Sequence, residues 1–343
     1  MLNDRQNQAV HYIQGPLLVL AGAGSGKTRV ITEKIAYLIR QQIYTARQIG
    51  AVTFTNKAAK EMKERIAQTL PKAQLRGLTV CTFHTLGLNI IRRELSTLGF
   101  KPGFSLFDDQ DTYALLNALT EEVFEGDKAL IQACQHQIGH WKNAMLSPEL
   151  ALQKASNDQE KAFAQVYQQY QNNLSACNAV DFDDLIRLPT QLLATNENAR
   201  ARWQKKFQYL LVDEYQDTNT SQYQLVKLLV GERARFTVVG DDDQSIYSWR
   251  GAQPKNLALL KQDFPQLDVV KLEQNYRSHG RILKAANILI ENSIRRELIK
   301  FGEQIIVRSF SVRPDIDSII SFAENTLGRV KERWGKKESA DAK

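Results

Sequence analysis

The chain has 343 residues, 43% of them apolar, enough for more than one domain with a sizeable core. No stretch approaches the ~20 apolar residues of a bilayer span, and the polar start MLNDRQNQAV lacks the apolar core of a secretory signal. Composition therefore speaks against a membrane protein. The net charge of +7 favours a polyanionic partner such as nucleic acid, while Cys81, Cys134 and Cys177 lie far apart with no metal-type spacing, which fits a reducing, cytoplasmic setting.

LLVL (17–20) reads as a short buried strand, followed by AGAGSGKT (21–28) and an amphipathic helix from about Arg29. GAVTF (50–54) and LTVCTF (78–83) read as further strands, each followed by a helical stretch, KAAKEMKERIAQTL and HTLGLNIIRREL. Near-continuous apolar strands alternating with amphipathic helices predict a parallel sheet covered on both faces. From about 86 to 200 the strand signal fades, and segments such as DTYALLNALTEEVF and DQEKAFAQVYQQYQNNL carry the helical period. Strands return with YLLVD (209–213), FTVVGD (236–241) and DVVKLE (268–273). An α/β domain interrupted by a helical one accounts for this order. Near the end, residues 297–334 predict a strand or two and a helix, and GKKESADAK a disordered tail.

AGAGSGKT fits the phosphate-loop pattern G-x-x-x-x-G-K-[ST], with Ala21 in place of the first glycine. In the loop Gly22, Ala23, Gly24, Ser25 and Gly26, the glycines let backbone N–H groups wrap around phosphate oxygens, and the following helix adds its positive end. Lys27 can reach the β- and γ-phosphates and the Thr28 hydroxyl can ligand Mg²⁺. Such a loop needs a carboxylate at a neighbouring strand end. YLLVDEYQD supplies Asp213 for the metal and Glu214 as a general base that polarises the attacking water. Together they imply hydrolysis of a nucleoside triphosphate, and they leave open what the energy drives.

Two other clusters are set aside. Cys134, His136 and His140 offer only three potential metal ligands and are expected on a partly exposed helix face. DFDDLI (181–186) is expected to be structural or to support the neighbouring α/β domain.

The remaining motifs appear in a fixed series. LNDRQNQAV, the phosphate loop, TFTNKAAKEM (53–62), TFHTLG (82–87), LLVDEYQDTN (210–219), VVGDDDQSIYSWRGA (238–252) and KLEQNYRS (271–278) together resemble the superfamily 1 DNA helicases of the Rep/UvrD/PcrA group, the Rep branch most of all. The likeness runs from residue 2 to about 292. A generic phosphate-loop ATPase has no reason to contain SIYSWRGA or QNYRS. The resemblance implies an ATP-driven 3′-to-5′ translocase and helicase that moves on single-stranded DNA and acts at single-strand/duplex junctions in replication and repair. Self-association or contacts with replication and repair proteins would accompany it. It also implies a RecA-like α/β motor domain (1–84 plus 200–275), a helical accessory domain inserted at 85–199, and, over 276–343, the start of a second motor domain with a divergent tail.

The same resemblance assigns roles by position. Gln6 falls in the segment that reads the adenine edge, and Arg29 and Tyr276 would sandwich the ring. Gln244 matches the γ-phosphate sensor and Arg277 a phosphate-contacting arginine that stabilises the transition state. Phe54, His84, Tyr247, Trp249 and Arg250 fall in motifs that face single-stranded DNA. Stacked aromatic faces there would give roughly 1–3 kcal/mol per base without sequence preference. Helicases of this group are about twice as long and close the ATP site with a second RecA-like domain. The likeness fades after Asn292, so a chain incomplete early in that domain is expected, with an ATP- and DNA-binding motor fragment without productive unwinding as the alternative.

Overall fold

A computed structural model describes residues 2–241, 255–284 and 287–288. The expected strand and helix near the C-terminus and the disordered tail lie outside the described residues. Two compact units divide the chain, one of Met1–Ala21 with Gly26–Leu272 and the other of Gly22–Ser25 with Glu273–Lys343.

The strands of the first unit are β1 (Leu17–Ala21), β2 (Ile49–Thr53), β3 (Thr79–Thr82), β4 (Ser105–Phe107), β5 (Ala179–Asp181), β6 (Tyr209–Val212), β7 (Phe236–Gly240) and β8 (Asp268–Leu272). Six of them form one sheet in the order β3-β2-β6-β7-β1-β8, every pairing parallel. The helices before the long insertion are α1 (Asp4–His11), α2 (Lys27–Arg40), α3 (Asn56–Thr69) and α4 (Phe83–Arg93). Those that follow are α5 (Leu95–Leu98), α6 (Asp109–Leu119), α7 (Glu121–Phe124), α8 (Lys128–Asn143), α9 (Pro148–Lys154) and α10 (Asp158–Ala176). The last four are α11 (Asp184–Thr195), α12 (Glu197–Lys206), α13 (Thr220–Val230) and α14 (Lys255–Asp263).

Period-two alternation divides the sheet between two cores. Leu17, Val19, Ala51, Leu211 and Val239 pack with α1, α2 and α3. Leu18, Val52, Leu210, Val212 and Val238 pack with α4 and α11–α14. Both faces are covered, so the central strands are buried along nearly their whole length and are mostly apolar, as the sequence predicts. Against α4, the approach of α11 is close enough that a Cβ on Gly87 would stand 1.7 Å from the Leu185 carbonyl oxygen.

The insertion has its own core of Leu116, Ile131, Ile138, Trp141, Tyr167 and Tyr170. It is helical as expected, with one addition, the parallel pair β4–β5. Cys134 corrects the reading of CQHQIGH. It is buried in this core, which pushes its thiol up to about 12, whereas His136 and His140 are exposed. A helix turns 100° per residue, so positions 136 and 140 share a face that 134 does not. Among the described residues no group of three His, Cys, Asp or Glu could hold a metal ion.

The acidic DFDDLI segment is structural. Lys142 Nζ, fully buried, donates to Asp181 Oδ2 at 2.6 Å and Asp184 Oδ2 at 2.9 Å, and Arg187 Nε reaches Asp184 Oδ1 at 2.8 Å. Asn143 Nδ2 donates to Asp183 Oδ1 at 2.9 Å, and Asn219 Nδ2 donates to Asn143 Oδ1 at 2.6 Å. The start of α13, just beyond the acidic loop after β6, is thereby tied to α8.

Candidate active site

In a parallel sheet the loops beyond the carboxyl ends of the strands form the natural ligand crevice. Here the strands β1 and β6 flank β7. Gly26 caps α2 at φ +91°, a left-handed conformation, and a Cβ there would also stand 2.7 Å from Gln6 Nε2. Lys27 and Thr28 open α2, whose first amides lack intrahelical partners and favour an anion. Lys27 Nζ lies 3.2 Å from Glu214 Oε2, and Thr28 Oγ1 donates to Asp213 Oδ2 at 3.5 Å. Four residues separated by some 185 positions thus meet at one point.

Asp213 is 3% exposed, and its backbone N–H still donates to Val52 O as an extension of the sheet. Burial, and then the neighbouring Glu214 carboxylate, push its carboxyl up to about 7 against the pull of Lys27. Such an oxygen, beside the Thr28 hydroxyl, is the hard donor set that suits Mg²⁺. Glu214 is itself left-handed at φ 50°, uncommon for a residue with a side chain, and its N–H donates to Asp213 Oδ1 at 3.1 Å. Gln216 holds it from the other side. Its Nε2 donates to Glu214 Oε2 at 2.9 Å while its Oε1 accepts the Asp241 N–H at 3.0 Å, joining Glu214 to the end of β7.

Gln6 is 1% exposed and is the third helical residue of α1. Its N–H donates to Asn3 Oδ1 at 2.7 Å and its Oε1 accepts the Asn3 N–H at 3.1 Å, a capping box that starts the helix and fixes the side chain. Arg29 is exposed on the first turn of α2.

The second unit joins Gly22–Ser25 to the QNYRS segment. The Tyr276 N–H donates to Gly24 O at 2.9 Å, and Asn275 Nδ2 donates to the Ala23 carbonyl. Asn275 Oδ1 accepts from the N–H groups of Arg277 and Ser278 at 2.9 and 2.8 Å. Gly24 is left-handed, and a Cβ on it would stand 2.6 Å from Arg277 Cβ. Ser25 Oγ turns back to Gly22 O at 2.7 Å. Tyr276 leaves its ring exposed, with its hydroxyl donating to Gln274 Oε1.

On the neighbouring strand ends, Phe54 is half-buried with its ring 5.9 Å from that of Phe83, edge to face. His84 is exposed at the start of α4, and the 45%-exposed Phe182 meets it edge-on at 6.3 Å. Gln244, Tyr247, Trp249 and Arg250 lie outside the described residues. Gln216, Asn275 and Phe182 were not singled out from the sequence. DEYQD and QNYRS contain the first two within motifs already recognised, but their roles depend on backbone turns that the motifs do not spell out.

The parallel sheet, the phosphate-type loop and the acidic strand end define a RecA-like α/β fold, and the chain belongs to the UvrD/REP helicase N-terminal domain family, whose profile matches residues 2–265. It is 65% identical over 292 residues to the ATP-dependent DNA helicase Rep of Escherichia coli strain K12, covering 85% of this chain and 43% of that protein. It is 53% identical to the Rep helicase of Buchnera aphidicola subsp. Schizaphis graminum over 85% of this chain and 44% of that protein. With the ATP-dependent DNA helicase PcrA of Staphylococcus aureus strain Mu50 it shares 42% identity over 86% of this chain and 40% of the relative. The chain therefore spans less than half the length of these curated relatives. Among the described residues no helix is long and apolar enough to cross a membrane.

Proposed function

We propose that this chain is the ATP-binding and DNA-gripping motor part of a cytoplasmic 3′-to-5′ DNA helicase of the Rep type, hydrolysing ATP to move on single-stranded DNA in replication and repair. Residues 1–84 and 200–275 form the motor domain and 85–199 the accessory domain, with 276–343 entering a second motor domain. The meeting of Lys27 with Glu214 and of Thr28 with Asp213 is the observation that carries this reading.

The loop 22–26 cradles the phosphates through backbone N–H groups and Lys27 neutralises the β- and γ-phosphate charge. Thr28 and Asp213 hold Mg²⁺, which supplies further charge neutralisation when bound. Glu214 accepts a proton from the attacking water, held in place by Gln216. Arg277 and Gln244 contact the γ-phosphate, and Gln6, Arg29 and Tyr276 bind the adenine. Phe54 and His84, the latter with Phe182 against its ring, face single-stranded DNA, as do Tyr247, Trp249 and Arg250.

The test is ATP turnover by this chain with and without single-stranded DNA, beside Lys27→Ala. DNA-stimulated turnover that disappears in Lys27→Ala supports the reading. Turnover untouched by Lys27→Ala would refute it. Lys27-dependent nucleotide binding without turnover would instead favour a motor fragment that binds both ligands and unwinds nothing.

A further inference from the structure

At the opposite end of the sheet, where β2, β3 and β6 begin, Arg47, Arg76, Arg93, Arg202, Lys205 and Lys206 line a concavity of about 620 Å³. Arg47 precedes β2, Arg76 precedes β3 and Lys206 precedes β6. Asp213 lies beyond the other end of β6, so with ~3.3 Å per strand residue the height of the sheet separates the two places.

Three local features gather this charge. Gly77 is left-handed at φ +93°, and a Cβ on it would stand 2.3 Å from Arg47 Cγ, so the absence of a side chain lets Arg47 lie across the turn. Lys206 Nζ stands 4.7 Å from the Trp203 ring centroid and the Arg93 guanidinium 6.0 Å from it, so one indole carries two cations. Glu94 is buried, and its carboxylate is taken up by Arg202 at 2.6 Å and the Trp203 Nε1–H at 3.1 Å. Among the described residues, Arg47, Arg76, Arg93, Lys205 and Lys206 have no ion-pair partner. Burial, and after it the nearby Arg93, lower the Lys206 pKa, and a bound anion would favour its charged form. Less the Glu94 carboxylate that Arg202 takes up, the pocket carries five of the chain's net +7 charges.

We propose that this pocket binds the phosphate backbone of nucleic acid, at a second site separate from the strand-end crevice. Every charged group lining it is a donor, and three of them, Arg47, Arg76 and Arg93, are guanidinium forks matched to phosphate oxygens, the fork of Arg202 being taken by Glu94. Trp203 is 2% exposed with its N–H engaged, so the pocket offers no indole face on which a base or an apolar peptide side chain could rest. Backbone contact without base readout is what remains, and its mark is salt dependence.

The test is anisotropy of a labelled mixed-sequence duplex, and of one of its single strands, across a salt series. The unaltered chain is compared with the R47E/R93E/K206E variant and with the charge-preserving R47K/R93K/K206R variant. Charge reversal is expected to weaken duplex binding at least ~10-fold and to flatten the slope of log affinity against log salt by about 0.9 for each phosphate that is no longer neutralised. The charge-preserving variant keeps the slope, and nucleotide binding is unchanged in both. Should the triple reversal not fold by circular dichroism, Arg47→Gln alone still lowers the slope by about one. Unaltered affinity and slope in the reversed or Gln variant would overturn the proposal. So would polyglutamate or inorganic phosphate displacing the duplex at matched charge, the first assigning the pocket to acidic peptides and the second to free phosphate.

Discussion

Gly26 answers to two constraints, a left-handed φ and the Gln6 amide where a Cβ would go. Gly26→Ala is expected to lower stability by about 1–2 kcal/mol from backbone strain alone and to displace Gln6, weakening ATP binding. Urea denaturation and a nucleotide titration check both; a variant with unchanged stability and affinity would show that neither constraint matters. Gln216 acts through Glu214, so Gln216→Leu is expected to reduce kcat while leaving nucleotide affinity within about twofold, whereas a merely structural loss would lower both. At this scale the sequence was informative where chemistry is local. The spacing of AGAGSGKT and the acidic pair ending an apolar run were enough to select Lys27, Thr28, Asp213 and Glu214. Gln216 escaped because its reach depends on the left-handed turn at Glu214. Asn275 escaped because its side chain replaces a backbone turn.

Strands buried on both faces were legible as elements because their apolar runs leave no polar alternation to confuse with a helix. The β4–β5 pair was not, since three residues with exposed positions such as Leu106 carry no periodic signal. DFDDLI was legible as structural, but the cation that makes it so lies some forty residues away on α8. Lys142→Met would leave Asp181 and Asp184 buried without that ammonium and is expected to cost about 3–5 kcal/mol, measured by denaturant unfolding. Burial alone would raise the Asp184 pKa, but Lys142 and Arg187 hold it well below the usual carboxylate range. A depressed carboxylate stabilises above its unfolded pKa of about 4, and that stability is lost as the pH falls below it. Lys142→Met should therefore also shrink the loss of stability on acidification.

For the whole molecule, which strand lies beside which depends on pairings between residues as far apart as Leu17 and Thr237, and no local pattern encodes them. What the alternation did encode was the division into two cores. On the core of α1–α3 sits a titratable group that couples packing to pH. Lys34 is fully buried, its ammonium donating to Ala9 O at 2.9 Å and Tyr12 O at 2.6 Å, where it takes up the last carbonyls of α1. Burial pushes its pKa down to about 7. The unfolded chain holds this proton up to about pH 10, so between about pH 7 and about pH 10 the unfolded state binds more protons than the folded one. Stability must then rise with pH through that window, by at most about 1.4 kcal/mol per pH unit, and the contribution is flat below it. Lys34→Met also removes two hydrogen bonds, so its absolute stability is not the informative quantity. The slope is: denaturant midpoints measured across this pH window should climb for the unaltered chain and stay flatter for Lys34→Met. Parallel slopes would mean that the two carbonyls hold the ammonium charged throughout, and that α1 is fastened to α2 by an ion that never lets go of its proton.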